Sequence, residues 1–324
     1  MRTDVNMERL MESLHRTGDI GKTENGGITR PGFSREYEMA SKELIAMMKE
    51  AGLTVSKDRV GNIIGRREGS RSGALSIMTG SHLDTVTEGG LYDGNLGIIS
   101  ALEAVRMMND YQVETAHPIE VVAFNAEEGS EMGGTFGSRV MTGRQDLKEK
   151  GLCEKLARYG LDCSDLERSI RDMNQVGAFI ELHIEQGPVL DHEGIRIGAV
   201  ENLQGIHWQR VTIEGAANHA GTTPTALRHD AGLAAAKVIV FLRQLVEKSG
   251  GVATVGCIEL KPNAINVIPS KAVFTVDLRN PDKEKLDNDE KILSEYLKNL
   301  AKEDDVRISA ERMTEFDPVP FDEE

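Results

Sequence analysis

Three short clusters in this sequence carry side chains that can bind cations and move protons. The first, residues 79–97, reads TGSHLDTVTEGGLYDGNLG and sets His82, Asp84 and Asp93 among glycines. His82 can give one ring nitrogen to a divalent cation while Asp84, two residues on, holds the other ring N–H. Asp93 offers two carboxylate oxygens to one cation or two. A turn decorated with polar residues would carry the same residue types. The second cluster is Asn125-Ala126-Glu127-Glu128-Gly129, directly after the apolar run Val121-Val122-Ala123-Phe124. Adjacent carboxylates at the mouth of a buried strand repel unless cations offset the repulsion or one acid keeps a proton. A dimetal site meets that requirement, with one acid ligating metal and the other free as general base for a metal-bound water. The third cluster is Glu181-Leu182-His183-Ile184-Glu185-Gln186-Gly187. Strand alternation would put Glu181, His183 and Glu185 on one side. Taken alone His183 reads as a structural histidine; taken with the other two clusters it reads as a ligand.

The elements that must position these clusters follow from periodicity. Tyr37, Ala40, Leu44, Met47 and Met48 stand at helical spacing, so the stretch up to about Ala51 predicts a helix stopped by Gly52. Short apolar runs at 60–65 and 74–78, a helix over 96–108 and the nearly continuous run at 119–124 predict alternating strands and helices. That is an α/β pattern, and in open α/β sheets ligand sites lie at the C-terminal ends of strands. Helices over 144–173 and a strand over 177–184 follow.

Near Gly205 the character changes. Residues 208–214, WQRVTIE, alternate polar and apolar as in a strand with one solvated face. A helix over 230–248, strands over 252–260, 265–268 and 272–278, a charged helix over 283–302 and a last strand over 307–315 give the order β-α-β-β-α-β of a ferredoxin-like unit. A second, α+β domain is therefore expected over 206–316, with 1–205 and 317–324 forming the first.

Composition narrows the function classes. A chain of 324 residues with 39% hydrophobic residues and 9 prolines suits two packed domains. Acids outnumber bases by 53 to 38, giving a formal charge of -15, which argues against a nucleic-acid partner because phosphate binding depends on Lys and Arg. The N-terminus, MRTDVNMERLMESL, has no uninterrupted apolar run, so neither a signal peptide nor a membrane span is expected and the cytoplasm is the default location. Cys153, Cys163 and Cys257 are odd in number and lack a CxxC, so they read as free thiols.

The motifs GSHLDTV (80–86), YDGNLG (92–97), NAEEGS (125–130), FGSR (136–139), ELHIEQGPVL (181–190), NHAGTTP (218–224) and Asn266 followed by DLRN (277–280) occur in this order. Together they resemble the zinc-dependent amidohydrolases of the M20 metallopeptidase clan. The branch they resemble holds N-carbamoyl-L-amino-acid hydrolases, allantoate amidohydrolases and ureidopropionases. LHIEQGP and HAGTTP point to this branch rather than to the peptidases.

The resemblance covers nearly the whole chain. It implies a metallopeptidase-like α/β catalytic domain with a central mixed sheet, and an inserted ferredoxin-like lid that also makes a homodimer. It also implies two divalent metal ions, zinc or else manganese or cobalt. His82, Asp93 and His183 would hold one, and Asp93 would bridge to a second held also by Glu128. Glu127 would be the general base and His219 would stabilise the oxyanion. Asn266 and Arg279 would grip the carboxylate of a ureido or amide substrate, and Gln186 would face the ureido group or a metal-bound ligand. Asn266 as a turn residue and Arg279 as an exposed strand charge are the plain alternatives.

Two features depart from the family pattern. Glu131-Met132 stands where an Arg-Phe pair is usual, and no histidine follows His229, whereas relatives carry a last metal-binding histidine in a GAGHDA-like motif. The second metal would then keep only Asp93 and Glu128, so the chain is expected to be C-terminally truncated, with an incomplete second site and weak or no activity alone. A dipeptidase or aminoacylase of the same clan, or a non-catalytic dimerising remnant, are the competing readings.

Overall fold

The computed structural model describes residues 4–322, so residues 1–3 of the N-terminal stretch and residues 323–324 of the 317–324 segment lie outside the described residues. The chain divides into two compact units, Met1–Val189 and Leu190–Glu324.

In the first unit, strands β1 (Thr54–Lys57), β2 (Ile63–Arg67), β3 (Ser76–His82), β4 (Ile119–Phe124) and β5 (Val176–Ile180) form one sheet in the order β1-β2-β4-β3-β5. β3 runs parallel to β4 and β5, while β1 and β2 are antiparallel to their neighbours, so the sheet is mixed. Helices α1 (Met7–Gly18), α2 (Arg35–Glu50) and α3 (Asn95–Asp110) share a core with it through Leu14, Leu44, Met47, Ile98, Leu102 and Val121. The N-terminal stretch is thus two helices rather than one. Ser34 caps α2 by accepting from Tyr37 N, and all five positions at helical spacing are buried. Each such aliphatic side chain contributes roughly 1.5–3 kcal/mol of transfer free energy.

The 144–173 region supplies two short helices, α5 (Leu152–Ala157) and α6 (Cys163–Ser169), after α4 (Phe136–Met141). Leu152, Leu156 and Leu166 join Phe136, Val140, Met132 and Ala126 in a separate apolar cluster behind the Glu127 segment. Here the structure corrects the reading of the cysteines. Cys153 and Cys163 are bonded, with Cα atoms 5.5 Å apart, and only Cys257 is a free, exposed thiol. The starts of α5 and α6 meet at the separation a disulfide requires, a juxtaposition that a ten-residue spacing does not announce. β5 also stops at Ile180 instead of running to 184, so residues 181–185 are not in a strand and alternation does not govern them.

In the second unit, α7 (Val189–Glu193) spans the division and β6 (Asn202–Leu203) pairs with β12 (Val319–Pro320). Strands β7 (Gly205–Glu214), β8 (Val252–Thr254), β9 (Ile258–Lys261), β10 (Lys271–Asn280) and β11 (Arg307–Phe316) form an antiparallel sheet in the order β11-β7-β10-β8, with β9 also on β10. Helices α8 (Ala231–Ser249) and α9 (Lys283–Glu303) pack on it through Val238, Leu242, Leu293 and Leu297 against Val211, Ile213, Phe274 and Val276. This is the ferredoxin-like arrangement expected. Residues 265–268 form a loop rather than a strand, with Val267 in an isolated antiparallel bridge to His219. Among the described residues, no helix is long and apolar enough to cross a membrane.

Candidate metal centre

β3 ends at His82 and β4 at Phe124, and these two residues are register partners in a parallel pair. Parallel pairing sends the following segments, 83–85 and 125–128, out at the same edge of the sheet. His82 is buried, and its Nδ1 lies 2.9 Å from the backbone oxygen of Asp84. A carbonyl can only accept, so Nδ1 carries the proton and Nε2 is the free donor atom.

Asp84 does this with its backbone, which corrects the expectation that its carboxylate would hold the ring. The carboxylate, 1% exposed, accepts instead from Glu127 N at 3.1 Å and Glu128 N at 3.0 Å. Two partly buried backbone donors just past β4 find acceptors there, and a carboxylate has one oxygen for each. The chain at Glu127 is further shaped by Ala126, which is fully buried at φ 54°, and by Asn125, whose backbone N–H goes to Asn62 Oδ1 at 3.0 Å.

Asp93 reaches His82 from the turn before α3. Gly94 sits at φ 63°, and a Cβ there would lie 2.3 Å from the His82 carbonyl oxygen and 2.5 Å from its ring. Asp93 Oδ1 lies 3.8 Å from His82 Nε2 and 3.3 Å from His183 Nε2. His183 Nδ1 contacts the Ile184 carbonyl at 2.8 Å, which again frees Nε2, although no strand supports it. Glu127 Oε2 lies 3.9 Å from His82 Nε2, and the Glu128 carboxyl is close enough to that of Asp93 for each to shift the other's proton affinity. Ligand atoms of His82, Asp93 and His183 lie within 4.8 Å of one another, as do those of His82, Glu127 and Glu128. This nitrogen and oxygen donor set fits zinc, manganese or cobalt.

The electrostatics point the same way. Burial pushes the Glu127 and Glu128 carboxyls above their usual range, and for Glu128 the neighbouring Asp93 adds to it, to about 7. Burial alone would lower His82, but Asp93, Glu127 and Asp84 outweigh it and push the imidazole up to about 9. His82 in turn holds Asp93 far below the ordinary carboxylate range. Several acids thus crowd one imidazole, a shortage of positive charge that a bound cation relieves.

Gln186, expected to face a substrate or a metal-bound ligand, donates from Nε2 to both Asp93 oxygens at 2.9 Å. Glu131 is ion-paired with Arg158, and Met132 is buried in the apolar cluster behind the loop, so neither unusual residue adds an unpaired charge there. His219, Asn266 and Arg279 belong to the second unit. Ala220 N donates to the Asn266 backbone oxygen at 3.0 Å, which brings the His219 and Asn266 loops together. Gly221 N donates to His219 Nδ1 at 3.0 Å, leaving the proton on Nε2. The Arg279 fork is engaged with the Asp277 carboxylate at 2.9 and 3.0 Å. Arg30 and Asn62, both buried beneath the strand ends, carried no signal in the sequence because an isolated polar residue has no period to betray its burial.

Residues 78–321 match the model of a family described as Peptidase family M20/M25/M40. The N-carbamoyl-L-amino acid amidohydrolase of Geobacillus stearothermophilus is 42% identical over 322 residues, which is 96% of this chain and 79% of that one. The ureidoglycolate hydrolase of Oryza sativa subsp. japonica is 35% identical over 301 residues, 88% of this chain and 62% of the relative. A crystal structure of an amidase of the hydantoinase/carbamoylase family from Burkholderia multivorans is similar with a TM-score of 0.88 at 35% identity, over 99% of this chain and 80% of that one. These matches lend no support to the expected truncation. With a family match over most of its length and amidohydrolases among its relatives, the chain belongs to peptidase family M20/M25/M40 and is a hydrolase acting on C–N bonds.

Proposed function

We propose that the chain hydrolyses the ureido C–N bond of an N-carbamoyl-L-amino acid or of a related ureido acid such as allantoate. The observation that carries this reading is the division of labour between two adjacent acids. Glu128 neighbours Asp93, which adds to its raised proton affinity, while Glu127 lies 3.9 Å from His82 Nε2 with its proton affinity raised by burial.

In this reading His82, Asp93 and His183 would hold one divalent cation, and Glu128 with Asp93 would help to hold a second. Gln186, bonded to both Asp93 oxygens, would keep that carboxylate in place. With Asp93 and Glu128 alone, a second cation would have fewer protein ligands among the described residues than the three usual for catalytic zinc. A divalent cation there supplies Lewis acidity toward the substrate carbonyl. Glu127 takes the proton of the attacking water and delivers it to the departing nitrogen, a task suited to a carboxyl whose proton affinity burial has raised. In the second unit, the His219 Nε2–H donates to the developing oxyanion. Asn266 and Arg279 receive the substrate carboxylate, with Arg279 exchanging Asp277 for it as a bidentate partner. The catalytic domain is then 1–205 with 317–324, the 206–316 domain makes the homodimer, and the enzyme works in the cytoplasm.

The test is an assay of the zinc-, manganese- or cobalt-loaded chain on N-carbamoyl-L-amino acids and allantoate, beside dipeptides and N-acyl amino acids. Turnover of the ureido compounds is expected, and Glu127→Gln should lower kcat by about 10²–10⁴-fold while metal content stays the same. Turnover of dipeptides alone, or full activity in Glu127→Gln, would sink the reading.

A further inference from the structure

We propose that Arg30 is a positioning residue that sets the Glu127 and Glu128 amides from below the site, acting through Asp84. Arg30 is 1% exposed, yet its guanidinium makes three bonds to backbone carbonyls. Nε donates to Leu83 O at 2.8 Å, and Nη1 to Thr17 O at 2.7 Å and Ile20 O at 2.8 Å. Its backbone grips the same segment two residues further on. Arg30 N donates to Thr85 Oγ1 at 2.9 Å and Thr85 N to Arg30 O at 2.9 Å. Asp84 is therefore held on both sides, at Leu83 and at Thr85, by one residue. Burying a guanidinium is strongly unfavourable unless its donors are satisfied and its charge is answered. The Asp84 carboxylate, itself 1% exposed, attracts this guanidinium from a distance, so that the three carbonyl bonds are what satisfy its donors. An aliphatic side chain would fill the same space without that penalty. What it would not do is fix the Leu83 carbonyl and supply a buried positive charge to the carboxylate on which Glu127 and Glu128 hang.

The plain alternative is a staple that only fastens the end of α1, at Thr17 and Ile20, to the end of β3. Amide hydrogen exchange of the chelator-treated full chain separates the two, because it reads neither turnover nor metal. The inference rests on the hydrolase reading only for its catalytic meaning. An active Glu127→Gln enzyme would remove that reading and leave this measurement standing. In Arg30→Gln and Arg30→Lys, exchange at the Glu127 and Glu128 amides is expected to quicken by about tenfold or more, matching Asp84→Ala, while amides in β4 stay within about twofold of the parent. A folded variant with unchanged exchange at 127 and 128 would overturn the proposal. So would acceleration spread evenly over α1, β3 and β4, the signature of a staple. If both Arg30 variants fail to fold while Asp84→Ala folds, Arg30 is a folding residue and the proposal falls.

Discussion

Gly94 decides how near Asp93 can come to His82. Its φ of 63° is unfavourable for a side chain, and a Cβ would overlap both the His82 carbonyl and its ring. Gly94→Ala is expected to destabilise the first unit by about 1–3 kcal/mol in a urea melt. The same variant should weaken divalent-cation binding by about tenfold or more, because the Asp93 turn must retreat from His82. A titration showing parent-like affinity would count against the roles given to Asp93 and His82. At this scale the sequence was informative where residue chemistry is out of place: a histidine and paired acids just past apolar runs have few bland explanations. It was mute about which atom faces which. The two-residue spacing of His82 and Asp84 foretold their proximity, but whether the carbonyl or the carboxylate meets the ring depends on the backbone of β4, far away in sequence. That Gln186 would bond Asp93 was not legible either, since its φ of 54° belongs to a turn the sequence does not announce.

The loop between β1 and β2 reaches under the end of β4 through a chain of amides and one acid. Asn62 donates to Asp58 from N at 2.9 Å and Nδ2 at 2.7 Å, and its Oδ1 takes the Asn125 N–H at 3.0 Å. Burial pushes the Asp58 carboxyl up to about 6, against the opposing bonds from Asn62. An unfolded aspartate titrates near ~3.9, so between the two values the folded chain binds more protons than the unfolded one. Stability must then fall as pH rises through that window, the reverse of a salt-bridged carboxylate. Urea melts from pH 4 to pH 7 should show the parent losing about 2 kcal/mol relative to Asp58→Asn. A flat difference would mean that Asp58 ionises freely.

The strands of this unit were unequally legible. β4 was read at its true bounds because both of its faces are buried and it is continuously apolar. β1 was missed, being four residues long and mostly exposed, and β5 was overextended because alternation persists in the sequence after the sheet has stopped supporting it.

For the molecule as a whole, the second unit offers α8 with Leu233 51% and Val240 59% exposed, on the helix face turned away from its own core. If 206–316 makes the homodimer, light scattering should return twice the 35.5 kDa chain mass. Val240→Glu should then return the single-chain mass with the melting curve of the first unit unaltered. A parent that is monomeric at micromolar concentration would remove the homodimer from the reading. The order of elements in this unit was readable because local alternation and helix periodicity switch cleanly from one to the next. The disulfide between Cys153 and Cys163 was not, because it follows from how two short helices meet.

The bonds from the Glu127 and Glu128 amides to Asp84 span 43 and 44 residues of chain. Between them lie all of α3 and β4, the crossover that any parallel pair requires. Such long-range closure comes late in folding, since the entropy of closing the loop is lost before the contacts reward it. The acids therefore reach His82 only once the β3-α3-β4 unit has shut. Before that closure Glu127 and Glu128 lack the Asp84 acceptor that places them, whereas Asp93 comes to His82 through the short turn before α3 and needs no such closure. Completion of the sheet is the event that arms the enzyme.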